Sequence, residues 1–159
     1  MSGTAAVLVC VLDLLGRQAR SLPPIELLAA PPRVISPNAE AFVQRDPDRI
    51  YLITSAPSFR RALDARLPCS NTMAIRKLAS ILVHEQWHLQ HGADERTAYE
   101  AQLTALLSFG VPPESIIYHE VVKSMLAVSK ADRMKMARSP AAVATPPVIA
   151  KAPGVEGRP

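Results

Sequence analysis

Thirteen residues carry the chemistry of this chain, His84-Glu85-Gln86-Trp87-His88-Leu89-Gln90-His91-Gly92-Ala93-Asp94-Glu95-Arg96. The first five have the pattern H-E-x-x-H. On a helix, residues four apart lie on one face, a turn above each other. His84 and His88 therefore point two imidazoles at one spot. Zinc takes neutral imidazole at about 2.0–2.1 Å, and a catalytic site combines three protein ligands with an open position for water. Glu85, beside the first ligand, is placed to take a proton from that water. The chemistry this pattern suggests is zinc-dependent hydrolysis.

A third ligand must come from the segment beyond Gly92. Two antiparallel helices joined by a tight turn bring residues equidistant from the turn opposite each other. Glu95 lies three residues after Gly92 and His88 four before it, while Glu100 and His84 each lie eight away. Spacing leaves both acids open, with Glu100 in reserve. Asp94 is the weaker choice because it suits the helix N-cap.

His84-Glu85-x-x-His88 followed by Glu95-x-x-Ala98-Tyr99 resembles the gluzincins, the thermolysin-like zinc metallopeptidases, over about residues 50–110. The resemblance implies Glu95 as the third ligand. It puts Tyr99 in the position usually held by an aspartate that braces a metal ligand, where a phenol can hydrogen-bond that ligand. It also implies an edge strand at Ile50–Thr54 that pairs with peptide substrate, and a small member without a C-terminal helical subdomain. Glu85 would then be the general base, passing its proton to the leaving amine. His119 and Tyr118 are the available groups for the developing oxyanion. His91 either braces one of the metal ligands or is an exposed residue near a helix C-terminus, where a cation is favoured. Trp87 reads as packing.

These residues need elements to hold them. Ser70, Asn71 and Thr72 are N-cap types, and the pattern from there to about His91 is helical, with Ile75, Leu78, Leu82 and Leu89 as one apolar stripe and Ala79 beside it. Ile81, His84 and His88 occupy a neighbouring face. Gly92 suits the C′ position. Asp94 opens a second helix to Phe109, with Leu103, Leu106 and Leu107 as its buried side. Pro112-Pro113-Glu114 opens a third, with Ile116, Ile117, Val121, Val122 and Met125 at helical spacing, fading near Lys130. Upstream, residues 5–20 read as a packing helix, and Ile25–Ala30 as a short turn of helix between proline pairs. Extended pieces are expected at Arg33–Ser36 and Ala41–Gln44. Asp46-Pro47-Asp48 is a turn. Ile50–Thr54 is the clearest strand, and a short helix runs from Pro57 or Ser58 to Ala65.

The 159 residues suit one domain, and 48% hydrophobic content with only 4% aromatic leaves the core to Leu, Ile, Val and Ala. Residues 1–122 hold 11 basic and 12 acidic side chains, net −1; residues 123–159 hold 7 and 2, net +5. The basic excess thus lies away from the motif, in a segment rich in Ala and Pro that reads as a disordered, solubilising tail over 137–159. Nucleic acid is not an expected partner beyond non-specific attraction to that tail. Cys10 and Cys69 form no CxxC, which argues against a disulfide framework and for a reduced cytoplasmic setting. Cys69 also sits just ahead of a helix N-terminus, where a thiolate can be stabilised. The apolar run Ala5–Leu15 is far short of a membrane span. It lacks a basic n-region and an A-x-A site, and secretion is the alternative.

The expectation is therefore an α+β, mostly helical zincin-like domain over residues 1–136, with a small sheet or edge strand packed on the H-E-x-x-H helix. Its cofactor is Zn2+ and its partner a peptide or protein substrate. The rival reading is a catalytically silent zincin-like domain that binds metal or a partner, motivated by how little chain remains to build a cleft.

Overall fold

In the computed structural model, which describes residues 2–67 and 69–138, the chain is α+β. Five helices run over Gly3–Leu15 (α1), Pro57–Leu63 (α2), Thr72–His91 (α3), Glu95–Ser108 (α4) and Ile116–Arg138 (α5). Three strands, Ile25–Leu28 (β1), Ala41–Gln44 (β2) and Arg49–Ile53 (β3), form one sheet of order β1-β3-β2. A 3₁₀ turn over Gly16–Ser21 ends α1.

Strand β3 lies in the middle. It pairs parallel with β1, Ile25 opposite Ile50, and antiparallel with β2, Ala41 opposite Leu52. Ile50–Thr54 was expected as an edge strand; both edges belong instead to β1 and β2. The region expected as a helical turn, Ile25–Ala30, is the strand β1. Its pairing partner lies 25 residues downstream, so no local pattern announces it. Arg33–Ser36 forms turns rather than a strand, whereas Ala41–Gln44 is extended as expected.

Alternation sets the two faces of the sheet. Ile50 and Leu52, with Ile25, Leu27, Ala41 and Val43 beside them, face a core built with Val7, Val11 and Leu15 of α1, Phe59 of α2, and Ile75, Leu78 and Leu82 of α3. On the other face Phe42 stacks on Tyr51 at 4.8 Å between ring centroids. A second cluster, Leu103, Leu106, Val111 and Val121, joins α4 to α5. Leu107, expected on the buried side of α4, is 46% exposed. Its neighbours one and four positions back fill that face.

Cys10 and Cys69 form a disulfide, contrary to the expectation of free thiols. The bridge ties α1 to the segment leading into α3. The support that free cysteines lent to a cytoplasmic setting goes with it. Helix α5 outruns its expected end at Lys130 by eight residues, so the domain boundary expected after residue 136 falls inside it. The rest of the expected tail, 139–159, lies outside the described residues. Among those described, no helix is long and apolar enough to cross a membrane.

Candidate metal centre

Two helix caps place the site. The Asn71 side chain accepts the Ala74 N–H at 3.1 Å and starts α3. At the other end Gly92 adopts φ +103°, a left-handed conformation that a Cβ would strain. Asp94 then accepts the Thr97 N–H and hydroxyl, at 3.2 and 2.7 Å, and starts α4. Three residues thus separate the last turn of α3 from the first turn of α4. Glu95, the first residue of α4, is folded back onto α3.

The result is a triangle of donors. The Nε2 atoms of His84 and His88 are 3.1 Å apart. The two Glu95 carboxylate oxygens lie 3.4 Å from His84 Nε2 and 3.4 Å from His88 Nε2. His84, His88 and Glu95 form a group that could hold a metal ion. The fit is close, since donors about 2.0–2.1 Å from a tetrahedral ion stand about 3.3 Å from one another. His88 is oriented for this: its Nδ1 lies 2.7 Å from the Gly92 carbonyl oxygen. Only a protonated Nδ1 can donate there, so in the neutral ring the lone pair sits on Nε2. His84 has no such support. Its Nδ1 is buried without a hydrogen-bond partner among the described residues, and its ring is held instead by the edge of Tyr99, 4.6 Å between centroids.

The electrostatics follow from the metal-free geometry. Hydrogen bonds from the two histidines outweigh burial and hold Glu95 down at about 2. The Glu95 hydrogen bond raises His88 against burial. Glu85 behaves oppositely. Burial pushes it up to about 6; His84 and His88 pull it down, and Glu95 adds to the rise. It is 8% exposed and makes no side-chain hydrogen bond among the described residues. Burial, aided by the Glu95 charge, also raises Tyr99, so its hydroxyl keeps its proton.

All of these groups line one cleft of about 1040 Å³, walled by β2 on one side and by α5 on the other. A cleft of this size is large enough for a ligand, which answers the concern that little chain was left to build one. Several expected site residues are elsewhere. Glu100 points outward and pairs with Arg96 at 3.1 Å, so it takes no part in the triangle. His119 is exposed, and Tyr118 packs into the α4–α5 cluster. Neither lines the cleft. His91 is exposed and stacks on Trp87 at 4.9 Å, with no contact to either ligand. Tyr99 reaches His84 through its ring rather than by a hydrogen bond.

Among the cleft residues that sequence reasoning missed are Arg45, Lys77, Glu40 and Glu120. Arg45, at the end of β2, donates to the His88 carbonyl at 2.6 Å. Lys77, two turns before His84 on the same face of α3, is paired with Glu40 and Glu120 at 3.5 and 2.9 Å. A lysine inside the apolar run Ala74–Leu82 was the available signal, since a buried lysine demands carboxylate partners. The chain matches no protein-family model, no curated protein and no solved structure, so the reading of the site rests on its own residues.

Proposed function

We propose that this chain is a zinc-dependent peptide hydrolase. One observation carries the reading: His84, His88 and Glu95 present two nitrogens and a carboxylate at 3.1–3.4 Å spacing, beside the buried Glu85, in a cleft bounded by an unpaired strand edge. Two imidazoles and one carboxylate, open on the cleft side, is the donor set of catalytic rather than closed structural zinc. When bound, zinc would polarise a scissile carbonyl and lower the pKa of a water at its open position to about 7.

The other tasks fall to the chain. Glu85 has no hydrogen-bond commitment and an affinity for protons raised towards neutrality, which suits a base that takes a proton and later returns it to a leaving amine. Gly92 holds the His88 ring through Nδ1. The outer edge of β2 offers backbone donors and acceptors to an extended peptide, a role expected of Ile50–Thr54; β2 is the edge strand that lines the cleft. Tyr99 lines the cleft with its ring against His84 and keeps its phenol proton, and we assign it to the developing oxyanion in place of His119 and Tyr118.

Metal analysis of the purified protein tests the centre. About one zinc per chain is expected, lost in His88→Ala. Protein that stays metal-free in excess zinc with both histidines intact would sink the reading. Glu85→Gln then separates hydrolysis from a silent metal-binding domain: zinc is retained and cleavage of a peptide library is abolished. Wild-type protein that holds zinc and cleaves nothing in that library would favour the silent domain.

A further inference from the structure

The cleft has two ends, and the contacts fix which is which. Glu40 meets Lys77 at one end, and Arg45 meets the His88 carbonyl at the other. The five steps of extended chain from Glu40 to Arg45 span about 16.5 Å, and the eleven steps of α3 from Lys77 to His88 span about the same. Strand β2 therefore runs beside α3 in the same direction, with the metal triangle at the Arg45 end.

At the far end the walls close. Lys77 is buried and stands between Glu40, just ahead of β2, and Glu120 on α5. The two contacts, 3.5 and 2.9 Å, put the carboxylate oxygens at most 6.4 Å apart, their sum. A peptide backbone needs about 3.5–4.0 Å to its neighbours on each side, about 7–8 Å in all. It cannot pass between them while the bridge is made. Ser58 fixes the Glu40 side, donating through N–H at 3.1 Å and through Oγ at 2.5 Å, and Arg61 braces Glu120 at 3.5 Å.

We propose that this bridge is a stop for one end of the substrate, and that the substrate class is peptides cut close to a free C-terminus. The inference rests on the peptide-hydrolase reading of the metal centre. A peptide pairing antiparallel with β2 runs from the Arg45 end towards Lys77, so its C-terminal side meets the stop. The charge balance there fits a carboxylate. Arg61 and Lys77 meet Glu40 and Glu120 here, and Lys123, three residues along α5 from Glu120, lines the same cleft. That makes three cations to two anions, and one Glu40 oxygen is already taken by Ser58. His84 lies seven residues beyond Lys77, about 10.5 Å along the helix. That distance holds about three extended residues, so the released fragments are dipeptides and tripeptides.

Zinc-loaded Glu85→Gln protein, which binds without cutting, tests this with N-acetylated peptides carrying either a C-terminal carboxylate or a C-terminal amide. The carboxylate form is expected to bind about tenfold tighter or more, the worth of one charged hydrogen bond. Lys77→Met and the exposed Lys123→Gln, each on that background, should shrink the preference; circular dichroism checks that Lys77→Met folds. Equal affinity, preference for the amide, or no binding of either peptide would overturn the proposal. Preference for a free N-terminus in C-amidated peptides would also overturn it, by reversing the substrate direction. Mass analysis of wild-type digests gives the second reading: C-terminal dipeptides and tripeptides are expected, and internal cuts spread along the peptide would refute the stop while leaving the hydrolase intact. Carboxylate-selective binding with no cleavage by wild type would refute the hydrolase and leave the stop.

Discussion

Glu85 is held in a place that does not suit a charge. Burial raises its pKa from 4.5 to about 6, against the pull of His84 and His88. In the unfolded chain it titrates near 4.5, so the folded, metal-free protein favours the protonated form. The contribution of this proton to stability is present in full below pH 4.5 and is lost as pH rises through about 6. A rise from 4.5 to about 6, at 1.36 kcal/mol per tenfold change, is worth about 2 kcal/mol. By pH 8 the ionised carboxylate costs the folded state that amount. Glu85→Gln keeps the shape and removes the charge. The metal-free variant should be more stable than wild type at pH 8 by about 2 kcal/mol, or about 4–8 °C in Tm for a chain of this length, and equal to it near pH 4.

The assay is thermal unfolding of both proteins in chelator across pH 4 to 8. The gap should open with a midpoint between the unfolded and folded pKa values. Added zinc should narrow it, since a cation beside Glu85 favours the charged form. A gap independent of pH, or a Glu85→Gln protein less stable than wild type at pH 8, would refute the claim that the carboxylate is desolvated and without a partner. The same substitution abolishes hydrolysis under the proposed function, so stability and activity should move in opposite directions at one residue.

Four further outcomes follow from the geometry. Glu95→Gln should weaken zinc binding at least about tenfold in a chelator competition, whereas Glu100→Gln should leave it unchanged, because Glu100 is engaged with Arg96 outside the triangle. Asp94→Ala should cost about 1 kcal/mol in denaturant unfolding and loosen zinc binding with it, since the cap it removes holds the turn that carries Glu95; Asp94→Asn should restore most of both. Tyr99→Phe should retain zinc and lower kcat by about 10²–10³, the range for loss of one oxyanion donor; unchanged kcat would remove Tyr99 from that role. Cys10→Ser should cost about 2–4 kcal/mol, because the bridge closes a loop spanning 59 residues of sequence separation, with zinc stoichiometry unaffected.

What the sequence disclosed was local. Asn71, the stripe Ile75–Leu78–Leu82 and Gly92 bound α3 because capping and 3.6-residue periodicity act within a few residues. Asp94 did the same for α4. What stayed hidden depended on distant partners. Ile25-Glu26-Leu27-Leu28 becomes a strand only because Ile50–Ile53 lies beside it, and four residues between prolines carry too short a pattern to read. That pairing also moved the sheet edge from β3 to β2. Cys10 and Cys69 meet only once α1 has docked. The choice of Glu95 over Glu100 was beyond spacing, since distance from Gly92 suits either acid; the cap at Asp94 brings Glu95 back onto α3, while Glu100 pairs outward with Arg96. His119 looked available from helical spacing, but the rotation of α5 is set by Val121 in the α4–α5 cluster, which turns His119 outward.

One helix explains how so short a chain holds both a core and a cleft. Along α3 the residues Ile75, Leu78, Ala79 and Leu82 are buried against α1, α2 and the sheet. Lys77, His84 and His88, at intervals of seven and four, face the cleft and floor it, with Ile81 shared between cleft and core. The same twenty residues therefore serve two surfaces with nothing between them. Larger proteins can separate a scaffold from the loops that carry function; here a side chain lost from the apolar stripe shifts the backbone that aims both imidazoles. A 1 Å displacement is large against a 3.1 Å donor spacing. Core substitutions on α3 should accordingly reduce metal affinity before they unfold the chain, whereas substitutions of similar size in the α4–α5 cluster should spare the metal and alter the cleft wall alone. Zinc affinity measured for Leu82→Ala against Leu106→Ala, both in fully buried positions, separates the two effects, and equal loss in both would show that the site is coupled to the whole core rather than to α3.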